Sequence, residues 1–411
     1  MADPRSSPPP SPHLATLLLT ALAVLLLIGA RWYGHLTFEL PLGDESAYTC
    51  AWQRAADGAS PYTCDRYLYF PLFAHLGGAL LGVAPVHTLL VGLRLLNLVA
   101  IATLCALAAS HTGWSLRAQA ATTALAACLA PPFVEAMSFG NVSPLSACLA
   151  LLAFATWSRA PALPGALLAL SVTLKPIALV VWLALLLSVH SLRGRVNAAV
   201  ALVLSAALIG AWPGELQQML AGPEYHLDAH HNVSLWRTLA LVGLPRPAVA
   251  LLVGATSLTL LLAATRGAWL KALGRGADQG ERTEPELMVV ACAAALLAFP
   301  VIWNHTLALA APIWAVAIAV ALRQWPADAS DRDARSRATL EILIVALVAL
   351  ATLHSDTWGA LGVMTPALQP LLNAAPLLGL GGLCGYVLWR GAGERAGCDE
   401  EGASQVTPPR G

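Results

Sequence analysis

Two neighbouring carboxylates, Asp44 and Glu45, open the run DESAYTCAWQRAAD at residues 44–57. Within it Tyr48, Ala51, Trp52 and Ala55 recur at helical spacing, Gly58 supplies a stop and Pro61 lies beyond. The spacing predicts a helix with Asp44 at its N-cap. Free N–H groups and the helix dipole keep a carboxylate ionised there, and an ionised carboxylate can take a proton from a hydroxyl. A residue that only caps the helix fits the same position, contributing about 1 kcal/mol. Glu45 is adjacent, and adjacent helical residues point in different directions. Spacing does not choose between the two acids.

A proton transfer that expels an anion also needs a cation. Lys175, with Lys271 one of the two lysines, sits between the apolar stretches 161–174 and 176–189. It fits an anion-stabilising role or a snorkelling one; Arg66 and Arg237 are the alternative cations. His305, in a tight turn between two apolar runs, suits phosphate binding, orientation of the base or a structural hydrogen bond. His226, Asp228, His230 and His231 resemble a metal set, but their loop contains Gly222-Pro223 and guarantees no helical i, i+4 histidine pair. No metal and no cofactor is expected. Asp331-x-Asp333 lies in an arginine-rich loop and reads as solvated. Arg94 and Asn97 share a helix face at i, i+3, which favours an interhelical hydrogen bond over an ion path. Asp57 and Asp65 offer the second carboxylate of a glycosidase, with nothing to position them.

The elements that must hold these groups are apolar helices. Apolar residues make up 57% of the 411 positions and charged ones 11%, which excludes an ordinary soluble domain. A formal net charge of zero gives no reason to expect nucleic acid. Twelve stretches fit spans: 14–30, 88–110, 117–132, 142–157, 161–174, 176–189, 196–212, 247–265, 286–302, 305–322, 339–353 and 368–390. The first reads as an uncleaved signal anchor, with Arg31-Trp32-Tyr33 as its interfacial flank. The division is therefore a disordered cytoplasmic tail at 1–13, a transmembrane domain at 14–390 and a disordered cytoplasmic tail at 391–411.

With the N-terminus inside, sixteen of the 23 basic residues fall in cytoplasmic segments, the asymmetry expected of a multi-pass plasma-membrane protein. Counting 70–84 as a span would invert every later loop, so that short, glycine-rich stretch is assigned to a helix along the outer interface. Two outer loops, 31–87 and 213–246, are large and the rest are tight turns. Short loops with polar breaks at mid-membrane would suit a transporter or flippase of a lipid-linked or polysaccharide substrate. Polar residues gathered in outer loops suit an enzyme at the outer interface. Of the eight cysteines only Cys50 and Cys64 share an outer loop, where a bridge is permitted and is worth roughly 3 kcal/mol.

Asp44-x-x-x-Tyr48, Gly58-x-x-Pro61-Tyr62 and Tyr69-Phe70-Pro71 resemble the first extracytoplasmic loop of glycosyltransferase family 87. Those are polyprenyl-phosphate-mannose-dependent mannosyltransferases of the GT-C fold, including the phosphatidylinositol mannoside mannosyltransferase. Further along, Phe139-Gly140-Asn141-Val142-Ser143 is similar to the family's G-Q-V-N turn and Lys175-Pro176 to its lysine–proline break. Asn232-Val233-Ser234 is similar to its N-Q-S loop and Trp303-Asn304-His305 to its tryptophan–histidine turn. The resemblance implies an all-α GT-C membrane fold, a polyprenyl-phosphate sugar donor, a lipid or glycan acceptor, an inverting transfer of mannose and Asp44 as catalytic base. With the residues above, the candidate site is Asp44 and His305 as catalytic groups. Glu45, Tyr48, Tyr62, Arg66, Tyr69, Asn141, Lys175, Asn232, Ser234, Arg237 and Asn304 are the candidate substrate and donor contacts. The chain departs from the family pattern at Asn141, Ser143, Val233 and Thr306, where the family carries glutamine, asparagine, glutamine and a second histidine. Those are polar groups expected to face sugar or headgroup.

Overall fold

The computed structural model describes residues 12–110, 115–157, 159–187, 192–221, 232–272, 284–300, 302, 304–325, 332–353, 358, 360–361 and 364–404. Every regular element among them is helical. Helix α1 (Pro12–Leu36) leads to the first loop, which carries α2 (Gly43–Ala56) and α3 (Pro71–Leu81). Then follow α4 (Val86–Ser110), α5 (Leu116–Leu129), α6 (Pro131–Phe139), α7 (Ser143–Thr156), α8 (Leu163–Leu174), α9 (Ala178–Leu187) and α10 (Leu192–Gly210). The second loop holds α11 (Pro213–Ala221) and α12 (Leu235–Leu241). The chain ends with α13 (Arg246–Ala272), α14 (Glu284–Ala298), a 3-10 turn (Asn304–Ala310), α15 (Ala311–Arg323), α16 (Arg332–Leu353) and α17 (Gln369–Ser404).

Proline and glycine decide where the apolar runs break. Pro131 ends α5 and starts α6 with a bend of 51° between them. Gly140 ends α6 at φ +68°, the left-handed conformation that closes a helix without a Cβ penalty. Pro144 and Pro164 open α7 and α8, and Pro176 follows Lys175 at the end of α8. Among the described residues five helical stretches are long and apolar enough to cross a membrane, or six with the bent α5–α6 pair. Several of the twelve expected spans are shorter. The 14 residues of α7 rise about 21 Å, below the roughly 30 Å of a hydrocarbon core. These short helices are buried among neighbours: α7 contributes Ala147, Cys148, Ala150, Leu151 and Phe154 to the main core.

The first loop forms its own core. Tyr48 and Trp52 of α2 pack with Tyr67, Tyr69 and Phe73, and Tyr48 meets Tyr69 and Phe73 edge-on at 5.0 and 5.1 Å, the favoured geometry of aromatic pairs. A disulfide joins Cys50 to Cys64. Helix α11 closes on this loop: Ser60 bonds Gln218 at 2.5 Å, Glu215 lies 2.9 Å from His75, and the His75 ring stacks on Trp212 at 4.3 Å.

Four expectations are corrected. Helix α2 begins at Gly43 with Leu42 as N-cap, so Asp44 is its second residue and not the cap. Glu45 does the capping instead, accepting the Leu42 N–H at 2.8 Å. Trp32 is no interfacial anchor: α1 runs on to Leu36, Trp32 is fully buried, and its indole N–H reaches the Ala127 carbonyl. The stretch 70–84 is helical only over Pro71–Leu81. The C-terminal segment expected to be disordered from 391 continues α17 to Ser404. The set His226, Asp228, His230 and His231, the N-terminal residues 1–11, Trp303 and Asp331 lie outside the described residues.

Candidate active site

Three broken helix ends converge. The first turn of α2 presents Asp44, half-buried at the edge of the first loop. The turn between α6 and α7 presents Asn141 and Ser143; Gly140 turns the backbone and the Asn141 N–H returns to the Ala136 carbonyl at 2.8 Å. The end of α8 presents Lys175, whose own N–H closes on Ser171 at 2.9 Å before Pro176 stops the helix. Helices α7 and α8 are fixed to each other by Ser171, which donates to the Ser146 carbonyl at 2.7 Å.

The side chains form one hydrogen-bonded chain. Lys175 Nζ donates to Ser143 Oγ at 2.5 Å and to Thr306 Oγ1 at 3.3 Å. Ser143 Oγ donates to Asn141 Oδ1 at 2.5 Å, and Asn141 Nδ2 donates to Asp44 Oδ2. Every donor points the same way, from cation to carboxylate. Asn141 Nδ2 also donates to the Tyr69 hydroxyl at 3.1 Å, which accepts from Tyr48 at 2.7 Å. Burial, and the charge of Asp44 with it, holds both tyrosine hydroxyls above their usual range, so they remain donors at neutral pH. Lys175 lies in the break between α8 and α9. Burial pushes its ammonium down to about 8, against the pull of Asp44 and Glu135. It is a cation at neutral pH that loses its proton more easily than an exposed lysine. A cavity of about 10 Å³, room for roughly one water, lies beside Lys175, Ser143, Ser146 and Thr306.

Beside Thr306, His305 bonds Glu135 of α6 at 3.0 Å through Nδ1, with side-chain exposures of only 3% and 15%. Sequence inspection passed over Glu135, although a lone carboxylate inside the apolar run 131–139 is a signal in itself.

Other candidates go elsewhere. Glu45 is fully buried against Arg94 and faces no cleft. Tyr62 donates to the Tyr69 carbonyl at 2.6 Å and so supports the loop. Arg66 is exposed, 3.8 Å from Asp65, with no described contact to the chain of side chains. Asn232 accepts the Ser234 and Ile302 N–H groups at 3.0 and 2.9 Å and donates to the Pro300 carbonyl at 3.0 Å. Ser234 caps α12, and buried Arg237 donates to the Asn232 carbonyl at 3.5 Å. Asn304 opens the 3-10 turn, and its side chain lies outside the described residues. No group of three or more metal-ligating side chains occurs among the described residues. A larger open groove of about 700 Å³ runs between α2, α3 and the start of α4, past Gln53, His75 and Val86. It touches neither Asp44 nor Lys175.

The family model for glycosyltransferase family 87 matches residues 67–300, while no curated protein and no solved structure matches. The matched stretch includes Tyr69, Glu135, Asn141, Ser143 and Lys175. Asp44 precedes it and Thr306 follows it, and folding brings both to its polar turns. A helical chain with several membrane-length apolar helices, matched over more than half its length, is a membrane glycosyltransferase and belongs to glycosyltransferase family 87.

Proposed function

We propose that the protein transfers a sugar, mannose in the first instance, from a polyprenyl-phosphate donor to a lipid or glycan acceptor at the extracytoplasmic face. Asp44 accepts the proton of an acceptor hydroxyl while its oxygen attacks the anomeric carbon from the side opposite the phosphate. The bond from that carbon to the phosphate oxygen breaks, the configuration inverts, and polyprenyl phosphate leaves with the electron pair toward Lys175. The proton on Asp44 is then released to water. The twelve-span GT-C architecture with both termini cytoplasmic goes with this proposal, because it sets the loops carrying Asp44 and Asn141 on the outer side.

One observation carries the proposal: the single-direction hydrogen-bond chain from Lys175 through Ser143 and Asn141 to Asp44. It holds a base and a cation in one half-buried site, where low dielectric strengthens both effects. Ser143 and Thr306, two positions that depart from the family pattern, are the Lys175 partners, so the cationic end is where this chain's donor preference would differ. Purified protein offered radiolabelled polyprenyl-phosphate mannose, other polyprenyl-phosphate sugars and a nucleotide sugar tests it. The expected result is label in a new covalent product from a polyprenyl-phosphate donor only. Label taken from the nucleotide sugar, or movement of intact donor across vesicles without transfer, would overturn it.

A further inference from the structure

Arg94 lies on α4, one turn from Asn97, and its side chain is 1% exposed. A guanidinium has five N–H donors in a fixed plane, and here all five are used. Nε donates to Glu45 Oε1 at 2.8 Å and Nη2 to Glu45 Oε2 at 2.6 Å. Nη1 takes the carbonyls of His35 and Phe38 at 3.0 and 2.5 Å, and Nη2 that of Leu40 at 2.9 Å. One side chain thus gathers the end of α1, the turn after it and the first turn of α2, where Asp44 sits. Asn97 donates to the Asn141 carbonyl at 2.7 Å, so α4 also holds the residue that bonds Asp44. Glu45 links the two: it pairs with Arg94 and packs so close to Gly140 that a methyl group there would overlap it.

We infer that Arg94, acting through Glu45, is a positioning residue that sets where the Asp44 carboxylate stands against Asn141. This rests on Asp44 being the base. A charged residue in an apolar helix is costly unless paired, and a structural pair needs only the Glu45 contacts. The three further carbonyl bonds all fall on the segment leading into Asp44.

Lysine at 94 keeps the charge opposite Glu45 but has three donors on one atom, so it cannot also hold three carbonyls spread over six residues. Arg94→Lys is therefore expected to lower kcat by about 10- to 100-fold, as misplacing a catalytic group by an ångström can, with the donor KM within about twofold. In the Asp44→Asn background the same change is expected to lower the residual rate no further, because the group being positioned is already disabled. Thermal unfolding of the purified variants gives the folded fraction to which each rate is referred. If Arg94→Lys does not fold, Glu45→Gln, which keeps size and an acceptor for the Leu42 N–H, goes through the same cycle with the same expectations. Full kcat in the folded variant, or an equal loss in both backgrounds, overturns the positioning role while Asp44→Asn stays inactive. Full activity in Asp44→Asn alone overturns the base assignment and the positioning role with it.

Discussion

Two polar regions carry the motifs that stood out in the sequence, and they use their hydrogen bonds in opposite ways. Around Asn232 the side chains bond to backbone: Asn232 takes two N–H groups and one carbonyl, and Ser234 caps α12. Around Asp44 side chains bond to side chains, from Lys175 through Ser143 and Asn141 to a half-buried carboxylate. The first pattern fixes a strap, residues 232–234, against Pro300 and Ile302. The second holds a cation and a carboxylate together in one half-buried network. Residues of equal prominence in a motif therefore differ by whether their partners are backbone or other functional groups.

Among the residues joined to Asp44, the largest effect is expected at Lys175. Lys175→Met keeps the length of the side chain and removes the charge, so turnover should fall by roughly 100-fold or more, the scale of losing one preorganised charge at a leaving group. An unchanged rate in folded protein would assign the phosphate to another cation. The wild type carries a related signature. With Lys175 held to about 8, turnover should decline as pH rises through that value, and Lys175→Arg should remove this alkaline limb. Stability should move the other way. The folded pKa lies below the ordinary 10.5, so between about 8 and 10.5 the unfolded chain holds more protons. The contribution of this residue to stability therefore rises over that window.

A smaller effect is expected at Asn141. Asn141→Asp sets two carboxylates at hydrogen-bond distance, which raises the pKa of one of them. The acid limb of the rate profile should shift up by about 1 pH unit or more. A wild-type profile would show that the contact to Asp44 is not kept in the working enzyme. Asn232→Ala should instead cost about 2–4 kcal/mol of stability, because it strands buried backbone groups, while activity per folded molecule stays within a few-fold. A large loss of kcat in stable protein would erase the distinction between the two regions. Least of all should come from Arg66→Ala, at an exposed side chain, where transfer is expected within twofold of wild type.

Much of the site was legible before any coordinates, for definite reasons. Asp44 announced itself at the start of a helical run, and Lys175 as a rare lysine before a proline. Asn141 came from the resemblance of residues 139–143 to the family's G-Q-V-N turn, in which Ser143 stood as a departure. Sharing a loop permitted a bridge between Cys50 and Cys64 without requiring it, and the fold forms one. What stayed hidden depends on long-range pairing. Glu45 and Arg94 are 49 residues apart, and His305 and Glu135 are 170 apart, distances at which no local period operates. The aromatic Trp32 looked like a membrane-surface anchor because composition cannot tell an interface from a crevice against α5. Span counting reads the apolar runs at 142–157 and 161–174 as crossings, whereas short proline-broken helices such as α7 and α8 can be shielded by protein alone.

The central claim is that Asp44 is a base and not only a hydrogen-bond acceptor for Asn141. Asparagine at 44 keeps the size and a carbonyl oxygen for the Asn141 amide, yet cannot take up a proton. The initial rate of sugar transfer by purified Asp44→Asn, at unchanged thermal stability, should fall by about 10²–10⁴-fold. Transfer at the wild-type rate by that folded variant would contradict the account.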